Sequence, residues 1–197
     1  MKKIILSFAL LTLAFGAFAQ GISGGIKGGL NLANQNYDVE GFTISPDNRT
    51  SFHLGGYLNV GFSESFSLQP ELLFNSVGAK YTGDGDYLMK LNYISVPVMF
   101  KYNPAPIFNI HAGPQFGFLM SAKGESDGDS EDIKDDLKGL DFGFGLGAGV
   151  DLPMGLNFSA RYILGLSNIV DELDSSDGKV TNNVIQLSIG YRLFGGK

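Results

Sequence analysis

ISGGIKGGLNL, residues 22–32, is the stretch on which the fold turns. Its even positions are Ile22, Gly24, Ile26, Gly28, Leu30 and Leu32, and its odd positions are Ser23, Gly25, Lys27, Gly29 and Asn31. A strand points successive side chains to opposite faces, so this segment has one apolar face and one polar face.

The same period recurs along the chain. Phe52, Leu54, Leu58, Val60 and Phe62 oppose His53, Tyr57 and Asn59, and Phe66, Leu68, Leu72 and Phe74 oppose Gln69, Glu71 and Asn75. Ile94, Val96, Val98, Phe100 and Tyr102 oppose Ser95 and Lys101. Phe108, Ile110, Phe116 and Phe118 oppose Asn109, His111, Gln115 and Ser121. Leu140, Phe142, Phe144, Leu146, Val150 and Leu152 oppose Asp141, four alternating glycines and Asp151. Leu156, Phe158, Ala160, Tyr162 and Leu164 oppose Asn157, Ser159 and Arg161. Ile185, Leu187, Ile189, Tyr191 and Leu193 oppose Gln186, Ser188, Gly190 and Arg192. Eight strands are predicted, an even number, as a closed antiparallel barrel with both termini at one rim requires.

The connections alternate in length. Gly61–Ser65, Asn103–Ile107 and Leu152–Gly155 are short, whereas Asn34–Thr50, Gly78–Tyr87, Ala122–Lys138 and Ser167–Asn182 are long and rich in Asp, Asn, Ser and Gly. A chain threading back and forth through lipid yields this pattern, because a sheet there must close on itself to leave no unpaired edge. The reading is an all-β, eight-stranded, antiparallel up-and-down transmembrane β-barrel. Its rival is a soluble eight-stranded barrel with the apolar face turned inward around a ligand. The polar face decides against that rival: it carries many glycines and few charges, a poor coat for water but a sufficient lining for a narrow interior. Phe62, Phe66, Tyr102, Phe108, Phe158, Tyr162 and Tyr191 gather toward the short-turn rim, where an aromatic girdle belongs.

Ahead of the strands stand Lys2 and Lys3, an apolar run from Ile4 to Phe15, and Ala17-Phe18-Ala19 before Gln20. These are the parts of a cleavable export signal, too short to span a bilayer. Residues 1–19 are therefore expected to be the signal peptide and 20–197 the barrel domain. Losing the two lysines moves the formal charge from −6 to about −8. That balance speaks against nucleic acid, whose phosphates demand cations. With no cysteine in the chain, disulfides, thiolate metal sites and a lipid-attached cysteine are excluded.

Several motifs in order resemble one known family. Gly25-Ile26-Lys27-Gly28-Gly29-Leu30-Asn31, Gln69-Pro70-Glu71-Leu72, Tyr93-Ile94-Ser95-Val96-Pro97-Val98, Ala112-Gly113-Pro114-Gln115 and Ala160-Arg161-Tyr162 with Gly165-Leu166 are similar to the PorT-like outer-membrane β-barrel family. The resemblance covers the mature chain and implies the barrel fold. One branch of the family is associated with a protein secretion and gliding apparatus, so secretion-apparatus proteins are partners the resemblance implies. Barrels of this kind commonly finish on an aromatic residue read by the insertion machinery, but Phe194 falls off the outward parity of its strand and Gly195-Gly196-Lys197 follow it.

Charges on the polar parity are the candidate site. Lys27, Glu71, Lys101, Arg161 and Arg192 are predicted to form a polar network in the lumen, with Glu71 pairing one or more of Lys27, Arg161 and Arg192, because an isolated charge in a tight interior costs several kcal/mol. A plug is one reading of this network, since eight strands leave an interior that side chains fill; a gated pore is the other. Gly143, Gly145, Gly147 and Gly149 leave a groove that Arg161 or Met99 would fill. Pro70, Pro97 and Pro114 lack the amide hydrogen a ladder needs, so pairing is expected to break beside them. His53 and His111 face the lumen too far apart in depth to share a catalytic role, and no enzyme activity is expected. Asp127, Asp129, Glu131 and Asp132 form an acidic loop cluster, whose spacing lacks the central Gly and terminal Glu of a calcium loop.

These readings place the protein in the outer membrane, with long loops outside and both termini periplasmic. They give it a structural or interaction role as a monomer, with a narrow channel or a secretion component as the alternative. The expected partners are outer-membrane lipid, lipopolysaccharide and the barrel-insertion machinery, and no cofactor is called for.

Overall fold

The computed structural model describes residues 21–39, 42–44, 46–82, 87–126, 129–171 and 179–195. The expected signal, residues 1–19, lies outside them. Among the described residues the chain forms strands β1 (Ile22–Val39), β2 (Phe42–Ile44), β3 (Asp47–Gly61), β4 (Phe66–Tyr81), β5 (Tyr87–Tyr102), β6 (Phe108–Ser126), β7 (Asp129–Asp132), β8 (Leu140–Asp151), β9 (Leu156–Gly165) and β10 (Lys179–Phe194).

Eight of these pair antiparallel in the ring β1-β3-β4-β5-β6-β8-β9-β10, and β10 pairs β1 along nearly its full length. Closure leaves no open edge in the ring. The two short strands stand outside it: β2 folds back on the far end of β1, and β7 on the far end of β6.

The two faces sort by parity. Ile26, Leu54 and Leu146 are 52%, 60% and 58% exposed on the outside, whereas Lys27 and Glu71 are 5% and 3% exposed inside. The soluble alternative would require the reverse. Phe62, Phe66, Phe100 and Tyr102 form one exposed aromatic cluster at the short-turn rim, with Phe66 and Tyr102 stacked at 4.9 Å between ring centroids.

The long loops are shorter than the sequence suggests. Much of 34–50, 78–87 and 122–138 is ladder: β1 runs on to Val39, β4 and β5 pair up to Tyr81 and Tyr87, and β6 with β7 forms a hairpin. Composition stops marking a strand's end there because any residue with an amide hydrogen can extend a ladder already begun, and above the lipid its side chain need not be apolar. The wall is uneven, since β6 has 19 residues and β9 only 10.

Pairing does break beside the prolines. The β4–β5 ladder skips from Pro70 to Leu73, and the β5–β6 ladder from Pro97 to Phe100, opposite Pro114. Two bulges also correct the parity. In the first, the β1–β10 register slips between Gly24 and Gly25, so that Phe194 turns outward over Gly24 and is 53% exposed. The last strand thus ends on an outward aromatic after all, because an inserted residue reverses every side chain beyond it. In the second, a slip beside Leu119 puts Leu119 and Ala122 inside. Ser121, expected on the lumen face, pairs instead with Asn92, to whose amide its hydroxyl is bonded at 3.0 Å.

Candidate functional site

The interior is layered. Deepest from the short-turn rim, where polar parity gives way, Val77, Leu91, Tyr93, Leu119, Ile163, Val180 and Val184 form an apolar cluster. Leu137 and Ile169, from the connections flanking β8 and β9, pack onto it over the low side of the wall. On the tall side Tyr37, Tyr81 and Tyr87 lie in edge contact, Tyr37 and Tyr81 sharing a hydrogen bond. Burial of the apolar cluster is favourable in the ordinary way, at about 25 cal/mol per Å². Among the described residues it also fills the lumen at the long-loop end.

Below it lies an amide layer. Asn31 Nδ2 donates to Asn75 Oδ1 at 2.7 Å, and Gln186 Nε2 reaches the same oxygen at 3.3 Å. His53 Nδ1 is 2.8 Å from Asn31 Oδ1 and its Nε2 is 2.9 Å from Ser188 Oγ. His53 and Ser188 flank Gly29 in the ladder, and the missing side chain there lets them meet across β1. Serine, imidazole and amide thus stand in the order of a hydrolytic relay. All three are buried and none borders the vestibule at the short-turn end, and the chain of bonds links β1, β3 and β10.

The charged layer comes next. Arg161 Nη1 and Nη2 donate to the two carboxylate oxygens of Glu71 at 3.0 and 2.7 Å, a bidentate pair, and Lys27 Nζ lies 3.2 Å from Glu71 Oε1. Gln69 Nε2 donates to the same oxygen at 2.9 Å. These three charges come from strands that are not all neighbours in the ring, so the cluster is a tie across the lumen. Lys101 stands apart: its Nζ lies 2.9 Å from Asp151 Oδ2 and touches Glu71 only through Gln69.

Arg192 departs from the expected network. It lies near the end of β10 at the short-turn rim, too far down the strand to reach Glu71, and among the described residues its guanidinium reaches the Pro153 carbonyl at 3.4 Å. Parity places a residue inside or outside but says nothing of its depth. His53 and His111 do lie at different depths; His111 Nδ1 bonds Asn109 Oδ1 at 3.0 Å, next to the Lys101–Asp151 pair that Asn109 also joins.

The glycine groove is filled, but from the side and not from across the barrel: Arg161 and His111 come from β9 and β6, which flank β8, and Met99 from β5 beyond β6. A Cβ on Gly145 would stand 3.1 Å from Met99 Cε and 3.3 Å from Arg161 Cδ. On Gly147 it would lie 2.5 Å from the Ala160 carbonyl and 2.6 Å from His111 Nε2. Gly147→Ala is therefore expected to cost about 1–3 kcal/mol by overpacking. The measurement is the urea midpoint of unfolding from lipid vesicles; an unchanged midpoint would refute the close fit.

Between the charged layer and the short turns the lumen opens into a vestibule of about 1060 Å³, bordered by Lys27, Lys101, Asp151, Arg161 and Arg192 among others. Higher up, a pocket of only about 10 Å³ lies beside Tyr93 and Asp141. Among the described residues the lumen is thus a cup, open at the short-turn rim.

The acidic cluster lies only partly within the described residues. Asp127 lies outside the described residues. Asp129, Glu131 and Asp132 are exposed on β7, paired with β6, where alternation sends neighbouring side chains to opposite faces. Among the described residues no three histidine or carboxylate groups converge as metal ligands would.

The eight-stranded ring recurs in solved structures. The attachment invasion locus protein Ail of Yersinia pestis superposes with a TM-score of 0.50 at 19% identity, the match covering 88% of this chain and 99% of Ail. Neisserial surface protein A gives a TM-score of 0.51 at 11% identity, covering 87% of this chain and 97% of that one. At such identities the likeness is one of fold. A comparison with curated proteins finds no match. In sequence, the model of the outer membrane protein beta-barrel domain matches residues 18–171, from before β1 to beyond β9. The closed ring, the lipid-facing exterior and this match lead to one conclusion: the chain belongs to the outer membrane protein beta-barrel domain family.

Proposed function

We propose that this protein is a non-conducting, non-enzymatic barrel of the outer membrane with a structural or interaction role in the envelope. In this reading it is exported by its N-terminal signal, and works as a monomer with the long hairpins outside and both termini in the periplasm. One observation carries the reading. The lumen is sealed twice, by the Lys27–Glu71–Arg161 tie and by the apolar cluster beneath Leu137 and Ile169. An ion crossing it would have to shed water among packed apolar side chains whose polar neighbours, Gln35, Asn182 and Asp141, are already hydrogen-bonded to one another, at a cost of several kcal/mol.

Function then falls to the surfaces. The exposed apolar band engages lipid and lipopolysaccharide, the outward Phe194 ends the last strand with the aromatic that insertion machinery reads, and the β1–β2 and β6–β7 hairpins extend beyond the barrel toward a partner. The PorT-like motifs support a secretion-apparatus partner as that second protein.

Reconstitution in a planar bilayer tests the sealed lumen: the wild type is expected to give no steady conductance, and a stable single-channel current would overturn the reading. Affinity isolation through a tag inserted between Asp171 and Lys179 tests the partner. Secretion proteins in the eluate support the apparatus, and lipid alone leaves a solitary structural barrel.

A further inference from the structure

The geometry points to an oxyanion-binding site in the short-turn vestibule, one that takes a carboxylate- or phosphate-bearing solute or chain end. It goes beyond the sealed-barrel reading, since a cup with a closed floor can still hold a ligand.

The argument begins with charge. Four cations, Lys27, Lys101, Arg161 and Arg192, border the vestibule, against three carboxylates: Asp151, Glu64 on a turn at the rim, and Glu71 behind Lys27 and Arg161. The chain as a whole carries a formal −6, so this cationic excess runs against the protein's own balance. Carboxylates dominate the rest of the molecule and cations are concentrated here.

Hydrogen bonding points the same way. Glu71 already accepts from Lys27, Gln69 and both terminal nitrogens of Arg161, which exhausts the lone pairs of one carboxylate. Arg161 Nε is buried and finds no protein acceptor, and Lys27 has three N–H donors with Glu71 as its partner. Around Glu71 donors exceed acceptors, while the unpartnered buried acceptors of the lumen, His111 Nε2 and Gln115 Oε1, stand on β6. Lys101 is bonded to Asp151 and Gln69, and Arg192 holds the mouth with a single long bond to a carbonyl. A buried, cationic, donor-rich cup is what a small oxyanion requires, and its bonds to guanidinium and ammonium would be the strong charge-assisted kind.

Shape sets the size of the ligand. The volume of about 1060 Å³ is that of a pocket for a small molecule or the end of a chain. Lys27 and Arg161 sit five residues in from the strand starts Ile22 and Leu156, about 16 Å along a strand at 3.3 Å per residue. Polar groups line the way in, among them Tyr57, Asn59 and Asn157, with Asn157 bonded to the Tyr57 hydroxyl at 3.0 Å. The ligand enters from the side on which the short turns lie, which is the periplasm in the orientation proposed above.

The test is a two-dimensional NMR titration of the whole barrel in a maltoside micelle, whose head groups carry no competing phosphate. Phosphate and citrate are added against sodium chloride of matched ionic strength. Saturable shifts are expected at Lys27, Lys101, His111 and Arg161 but not at Lys90 or Glu125, which pair on the far rim. Arg192→Gln, at the accessible mouth, is expected to weaken binding about tenfold with the fold unchanged, as is Lys101→Gln in a separate protein. A short peptide with a free C-terminal carboxylate, compared with its amide, separates a chain end from a free ion: preference for the acid identifies a chain end, and binding of phosphate and citrate without the peptide identifies a small solute. Non-saturable shifts equal to those of sodium chloride, or full affinity in both variants, would overturn the site.

Discussion

Replacing Glu71 by Gln is expected to lower the unfolding free energy by about 3–5 kcal/mol, measured by urea titration from lipid vesicles. The substitution keeps the shape and one acceptor but removes the charge that two cations share. Lys27 and Arg161 would then face each other in an interior largely withdrawn from water, where they are 5% and 3% exposed. Most of the loss is therefore the cost of orphaned charge and not the net worth of the ion pairs. That distinction is testable in the same titration. A triple variant, Glu71→Leu with Lys27→Met and Arg161→Met, removes the charges together and is expected to return stability to near wild type, since apolar side chains of similar volume often replace a buried ion cluster without loss. An unchanged midpoint in Glu71→Gln alone would mean that vestibule water screens the layer, and the tie would cease to count as structure.

The second large effect lies on the opposite face. Leu54→Arg, at the middle of β3 and 60% exposed, is expected to cost about 2–4 kcal/mol in a bilayer, while Leu193→Arg near the rim costs about 0–1 kcal/mol. Both leucines are outside and both are exposed, so only depth in lipid separates them. In water an exposed Leu→Arg change is close to neutral at either place. The gradient between two equally exposed sites is thus a direct reading of membrane depth, taken from vesicle refolding. Equal and small effects at both positions would return the chain to water and undo the assignment of its exterior.

Much of the fold was legible because an alternating strand states its faces residue by residue. Ile26 and Lys27 needed no third dimension to be separated, and Gly145 announced a groove by lacking a side chain. Three things were not legible. The outward turn of Phe194 and of Ser121 is not legible because a single extra residue in a bulge inverts the parity that follows it, and nothing in composition marks the insertion. The apolar cluster is not legible because Val77, Leu91 and Tyr93 share the polar parity of their strands, a pattern that reads as noise until the loop residues Leu137 and Ile169 close on it. Arg192 was grouped with Glu71 because parity carries no depth.

The sequence by itself determined the closed, alternating architecture, which side faces lipid and which charges are turned inward, for a period of two is a local property of the chain. Only the tertiary structure decided which inward residues meet. Glu71 lies 44 residues from Lys27 and 90 from Arg161, and their contact depends on the stagger between strands around the ring. That stagger is set by every turn, bulge and proline together, so no single segment records it. The same is true of the cup: its floor and its mouth exist only once the ring has closed.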